Sequence, residues 1–207
     1  MFGQSITWGL AALAVLPAEK AENESEAYQT AIFAGGCFWC MEHPFEVIEG
    51  VIDVVAGYTG GDEIDPTYQE VASGETEHLE AVRVVFDPSK VSYETLLDVY
   101  WRQVDPTDAS GQFVDRGSHY NTAIFFKNDK QQAIAEQSKE KVNNSECYSK
   151  PIVTEIRPAG EFYDAESYHQ DYHKTNPLRY KYYRQSSGRD RYLNTIWKDS
   201  GKDNHEE

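Results

Sequence analysis

The sequence predicts an α+β fold in which helices pack on an open sheet within a single domain. Three observations carry that expectation. The 207 residues leave room for one buried domain of about 150 residues plus tails. Short apolar runs rich in β-branched residues recur along the chain and are closed by turn signals. Between them lie segments with apolar residues at helical spacing, giving the order βαβ, β, α, β, α, β, α.

The first strand is expected over residues 30–34, where Thr30, Ala31, Ile32, Phe33 and Ala34 precede a Gly35-Gly36 turn. A helix over 38–47 follows. Pro44 removes a backbone donor inside it, so this helix either starts near Met41 or kinks. Residues 51–56 read as the second strand, ending in a turn over 57–61 in which Gly57, Gly60 and Gly61 supply unusual backbone angles. In the third strand, over 79–86, Ala81, Arg83 and Val85 alternate with Val82, Val84 and Phe86, and Asp87-Pro88 closes the run. Ser92 as a cap and Leu96, Val99, Tyr100 and Gln103 at helical spacing predict a helix over 92–103. A strand over 119–127, a polar helix over 129–142, a strand over 151–157 and a short aromatic helix over 162–173 complete a domain that runs from 30 to 185.

Composition excludes some functions. Thirty-five acidic against nineteen basic residues give a formal charge of −16, so a polyanionic nucleic acid is repelled. Three cysteines are too few for a disulfide scaffold. A monomer is the expectation. Residues 6–17 form a mostly apolar run with the length of a signal-peptide core, too short to span a bilayer. Residues 1–5 carry no Lys or Arg and the cleavage pattern is poor, so two readings stay open for 1–29: an export signal with a linker, or a leader on a cytoplasmic protein. The segment 186–207 reads as a polar, loosely held tail onto which Tyr192, Ile196 and Trp197 can pack back.

Gly36-Cys37-Phe38-Trp39-Cys40 sets two of the three cysteines in a Cys-x-x-Cys between the first strand and the first helix. Cys37 falls at the helix N-terminus, where unpaired N–H groups favour thiolate, and Cys40 can accept it in a disulfide. Phe38 and Trp39 add an apolar surface beside the sulfur. Half a zinc site or an inert buried pair are the alternatives; against zinc, no second pair exists and His43 is the nearest other ligand. His169 and His173 stand four apart, a metal-binding spacing, without the acidic residue of a metalloprotease helix. Cys147 lies in a polar connection, as a bystander thiol or a second resolving cysteine.

These residues sit within a series of further blocks: Gly57-Tyr58-Thr59-Gly60-Gly61, Pro66-Thr67-Tyr68, Ser73-Gly74-Glu75-Thr76-Glu77-His78-Leu79-Glu80, Asp105-Pro106, Asp115-Arg116-Gly117-Ser118-His119-Tyr120 and Tyr168-His169-Gln170 with Tyr172. In kind and order they resemble the A-class peptide methionine sulfoxide reductases over roughly residues 30 to 185. The resemblance implies a ferredoxin-like core and thiol-dependent reduction of methionine-S-sulfoxide, free or in proteins. It implies Cys37 as nucleophile, Glu80 as the acid for the sulfoxide oxygen, Tyr68 and Tyr120 as phenols bonding that oxygen, Phe38 and Trp39 holding the methyl group, and Asp115 nearby. Cys40 then resolves the Cys37 sulfenic acid and a thioredoxin-like dithiol reopens the disulfide, with no metal or organic cofactor. His78 reads as a structural hydrogen-bonder. Two departures stand out: Cys40 replaces a glycine common in the family, and no cysteine follows Cys147. The rival readings are a thiol–disulfide oxidoreductase acting on protein cysteines and a metal-holding or peptide-binding module.

Overall fold

A computed structural model describes residues 28–197, so nearly all of the leader and the last ten residues of the tail lie outside the described residues. β1 (Gln29–Gly35), α1 (Phe38–Glu46), β2 (Val51–Thr59), α2 (Tyr68–Ser73), β3 (Leu79–Phe86) and α3 (Tyr93–Trp101) form the first half. A hairpin of β4 (Gly111–Gln112) and β5 (Asp115–Arg116) and a 3-10 turn at Ser118–Tyr120 lead into β6 (Thr122–Phe126) and α4 (Asp129–Asn143). β7 (Glu155–Pro158), β8 (Phe162–Asp164), α5 (Tyr172–Thr175), α6 (Pro177–Ser186) and α7 (Arg189–Ile196) follow. The main sheet runs β7-β6-β1-β3-β2-β8, antiparallel except for the parallel β6–β7 pair, so it is mixed. No helix of the described residues is long and apolar enough to cross a membrane.

The alternation in β3 sorts the two sheet faces. Val82, Val84 and Phe86 join Ala31 and Phe33 of β1 under Phe38, Met41 and Phe45 of α1 and Leu96, Leu97, Tyr100 and Trp101 of α3. Leu79 and Ala81 face the other way, in a smaller cluster with Ile32, Ala34, Ala123 and Phe125. With a side-chain period of two, Glu80 must then point to the helix face, at the end of β3 that lies under the start of α1. Phe33 stacks on Phe45 and on Tyr100, each at 5.2 Å, and the Tyr100 hydroxyl donates to the Ala34 carbonyl. Ser92 caps α3 as expected, accepting from the Thr95 N–H.

Five expectations are corrected. β2 continues through Gly57 to Thr59, because β8 lies against it: a Cβ at Gly57 would stand 2.3 Å from the Tyr163 carbonyl oxygen. The aromatic helix expected over 162–173 is instead β8, a turn and the short α5; the Gln170 amide bonds both the N–H and the C=O of Ala56 and so clamps this segment to β2. The strand expected over 119–127 begins only after the 3-10 turn, and that over 151–157 shrinks to β7. Residues 186–197 are no loose tail, since α7 inserts Arg189, 1% exposed, into the interior.

The Arg189 guanidinium donates to the carbonyls of Gly35 and Gln103 and lies 4.7 Å over the Phe113 ring. Arg189→Met leaves both acceptors without this donor, and an unsatisfied buried acceptor costs about 1–3 kcal/mol. The variant is expected to lose about 2–4 kcal/mol of stability by urea unfolding. A loss below about 0.5 kcal/mol, the usual size for a surface substitution, would show that α7 is not part of the folded unit.

Candidate active site

Cys37 is the N-cap of α1, and Gly36 before it has φ +80. A Cβ at Gly36 would also stand 2.6 Å from Gln112 Cβ and 2.9 Å from an Arg189 nitrogen, so only glycine lets the chain turn here between the hairpin and α7. Glu80, 1% exposed, reaches up from β3 and takes the Phe38 N–H at 3.0 Å. Burial raises its pKa to about 8, with the charges of Asp115 and Cys40 adding and the Phe38 N–H opposing. At neutral pH Glu80 is therefore chiefly a carboxylic acid, able to give a proton.

The expectation that a helix N-terminus holds Cys37 as a thiolate is corrected. Cys37 is 5% exposed, and its pKa is raised by burial, by a hydrogen bond to Cys40 and by the Glu80 charge. The first N–H of the helix belongs to Glu80 instead. Cys40 is lowered to about 7, first by the Cys37 hydrogen bond and then, against its own burial, by the charges of Arg189 and Arg184. The two cysteines stand one helical turn apart, where the Cys40 N–H bonds the Cys37 carbonyl at 3.0 Å.

Pro44 sits inside α1 and leaves the Cys40 carbonyl without its i+4 donor. Arg184 of α6 supplies one, at 3.0 Å, while its other nitrogens bond Asp190 and Gln103. The proline that looked like an obstacle to the helix opens a place for a cation beside the second sulfur.

The other residues read from the sequence converge on this point. Tyr68 opens α2 behind a Thr67–Glu70 capping box, and its N–H donates to Glu166. Burial and the charges of Glu80 and Cys37 raise Tyr68 to about 12, and the same causes raise Tyr120, so both phenols stay proton donors. Trp39 is half-buried; its indole N–H donates to His169 Nδ1 at 3.1 Å and its ring stacks on Tyr172 with centroids 3.7 Å apart. Phe38 turns further in, 1% exposed, against Tyr58 and His169. Asp115 of β5 accepts from the Tyr183 hydroxyl at 2.5 Å, and Tyr183 stands close enough to Cys37 for the charge on that sulfur to raise the Tyr183 pKa. Cys147 lies elsewhere, lining a cavity of about 240 Å³ with Asp105, Tyr148 and Tyr192. His78 accepts from the Gly61 N–H and is placed as a structural residue.

Besides Arg189, three site residues escaped the sequence reading. Tyr183 is one of several tyrosines in the 180–183 stretch, and only the docking of α6 selects it. Glu166 joins β2 to α2, taking the Tyr58 hydroxyl and the Tyr68 N–H. Arg184 has no recognisable motif around it; the unsatisfied carbonyl behind Pro44 was the one available signal.

The arrangement puts a soft sulfur, a protonated carboxyl, two phenols and an aromatic wall in one place. Comparison with known proteins agrees with that chemistry. The family model "Peptide methionine sulfoxide reductase" matches residues 29–201. A peptide methionine sulfoxide reductase MsrA of Bacillus licheniformis is 54% identical over 173 residues, which cover 84% of this chain and 96% of that one. Among solved structures, reduced Mxr1 of Saccharomyces cerevisiae superposes with TM-score 0.69 at 30% identity, covering 73% of this chain and 87% of that one. Methionine sulfoxide reductase A of Corynebacterium diphtheriae does so with TM-score 0.65 at 34% identity, covering 73% and 76%. A match that spans every described strand, together with relatives sharing a third to a half of their residues, means that the chain belongs to the peptide methionine sulfoxide reductase family.

Proposed function

We propose that this reductase of methionine sulfoxide acts on the S epimer through Cys37, Glu80 and Cys40, and that a thioredoxin recycles it. The observation that carries the reading is Glu80, a carboxyl kept protonated by burial and held on the Phe38 N–H next to the nucleophilic sulfur. The neutral acid serves twice. It gives its proton to the sulfoxide oxygen, and while neutral it withdraws the charge that otherwise pushes the Cys37 pKa up.

Cys37 passes its thiol proton to Cys40 as its sulfur attacks the sulfoxide sulfur, and the oxygen, held by Tyr68 and Tyr120 and protonated by Glu80, passes to Cys37 as a sulfenic acid while methionine leaves. Trp39, with Phe38 behind it, forms the apolar wall for the methyl group, and Asp115 acts through Tyr183. Cys40 sulfur then attacks the Cys37 sulfenic sulfur, its own thiol proton passing to the departing oxygen, which leaves as water as the disulfide forms. The positive charges of Arg184 and Arg189 favour the thiolate this step requires. A dithiol returns both sulfurs to the thiol state and leaves oxidised. Support for a thioredoxin comes from yeast Mxr1, also solved in complex with Trx2. The succession β1-α1-β2-β3-α3-β6 with antiparallel neighbours β6-β1-β3-β2 supports a ferredoxin-like core. The charge of −16 favours a monomer that avoids nucleic acid.

Thioredoxin-coupled turnover of methionine sulfoxide tests the scheme. Cys40→Ser is expected to form about one methionine per enzyme and then stop, since oxygen transfer needs only Cys37, whereas Cys147→Ser keeps steady turnover. Mass spectrometry after sulfoxide treatment without reductant is expected to find Cys37 bonded to Cys40. A bond from Cys37 to Cys147 would overturn the recycling route and leave the reductase intact.

A further inference from the structure

A second cluster of chemically capable side chains lies outside the reaction site, one to two turns further along α1. His43 and Glu46, three residues apart in α1, meet His173 of α5, and one donor atom from each lies within 4.8 Å of the others. The histidine pair singled out by its spacing in sequence is separated by the fold: His169 is spent on Trp39, and His173 turns instead toward α1.

We propose that His43, Glu46 and His173 form a site for one divalent transition cation of the zinc type, bound by two imidazoles and a carboxylate with a water completing the shell. Donors of a tetrahedral ion at zinc-like bond lengths stand about 3.3 Å apart. His173 Nε2 and Glu46 Oε2 are already at 3.1 Å, and the exposed His43 ring has the freedom to close the remaining distance. The His173 side chain is 9% exposed, and its Nδ1 is buried with no hydrogen-bond partner among the described residues. In the neutral ring Nε2–H faces Glu46, so an ion bound at Nε2 takes the place of that proton, which moves to Nδ1.

Lys174 is the competing cation, 3.0 Å from the Glu46 carboxylate. It has a second partner, Asp171, at 2.8 Å, so Glu46 can turn to a metal without leaving the ammonium unpaired. The cluster also borders an open groove of about 910 Å³ lined by residues of α1, β2 and the segment leading into α5, which gives the ion an entry path. Binding would tie α1 to α5. These two elements carry the stacked pair Trp39 and Tyr172, so the same ion would brace the wall of the reaction site through their shared seam.

The cysteines are themselves good zinc ligands, so the test must separate the two places. Untagged, full-length chain with Cys37→Ser, Cys40→Ser and Cys147→Ser is titrated with Zn²⁺ by calorimetry, and His43→Ala is added in the same background. One ion per chain is expected, with affinity falling about tenfold or more on His43→Ala. Zinc at a hundredfold excess over its Kd is expected to raise Tm by about 5 °C or more in the thiol-free chain. No uptake by that chain, or uptake unchanged by His43→Ala, would overturn the site. Should the triple variant fold poorly, reduced wild-type protein is titrated with Co²⁺. Ligand-field absorption without a thiolate-to-cobalt charge-transfer band supports the imidazole–carboxylate site, and a charge-transfer band from the first equivalent assigns the ion to the cysteines and overturns it.

Discussion

Cys37→Ser is expected to abolish reduction of methionine sulfoxide, in single turnover as well as in the thioredoxin-coupled assay. A serine hydroxyl at this buried position is neither acidic enough to ionise nor soft enough to attack a sulfoxide sulfur, and it has no oxidation state equivalent to a sulfenic acid in which to carry the oxygen away. Cys40 does not replace it, although its pKa of about 7 makes it the more readily ionised of the two. Glu80 holds the N–H of Phe38, the residue after Cys37, so the acid serves that sulfur. Folding should be unchanged, because the exchange removes little volume from a side chain at a helix cap. Methionine formation by the variant above the rate of free thiol would remove Cys37 as the nucleophile.

Glu80→Gln is expected to slow the first step about a hundredfold or more, the usual size of general acid assistance. The amide keeps a dipole near the sulfoxide oxygen and loses the transferable proton. The pH dependence supplies an independent signature. Burial raises the Glu80 pKa from 4.5 to about 8, so the acid form persists at neutral pH and is lost as pH rises through that value. Wild-type single-turnover rates should therefore fall above about pH 8 as the proton donor ionises, and Glu80→Gln should lack that limb. A wild-type rate that climbs steadily through this range would show that ionisation of Cys37, rather than protonation by Glu80, limits the step.

The central sheet and its helices were legible because each element carries its own local signal. The alternation along 79–86 places Val82, Val84 and Phe86 on the helix face, and the same count puts Glu80 there. Ser92 announces α3 through a hydrogen bond to its own first turn. The C-terminal third was not legible in this way. β8 exists because it adds to the edge of β2, which a bare Gly57 leaves open, and Gln170 fixes the following turn by bonding a backbone more than a hundred residues away. α7 looks polar enough for a tail, yet its Arg189 is buried because the carbonyls of Gly35 and Gln103 are waiting for a donor.

The same division runs through the site. The sequence picked out the Cys37-x-x-Cys40 pair at a strand-to-helix turn by its spacing, and Glu80, Tyr68, Asp115 and Tyr120 through the blocks that resemble the family, but not Tyr183, Glu166 or Arg184. Only the tertiary structure decided their protonation, since a pKa follows from what surrounds a group in space. The helix N-terminus argued for a Cys37 thiolate. Burial reverses that by holding the proton on Cys37, while Arg184 and Arg189, brought in from the far end of the chain, stabilise charge on Cys40. Helix caps and strand faces are set by neighbours in sequence, whereas desolvation and long-range charge are set by packing.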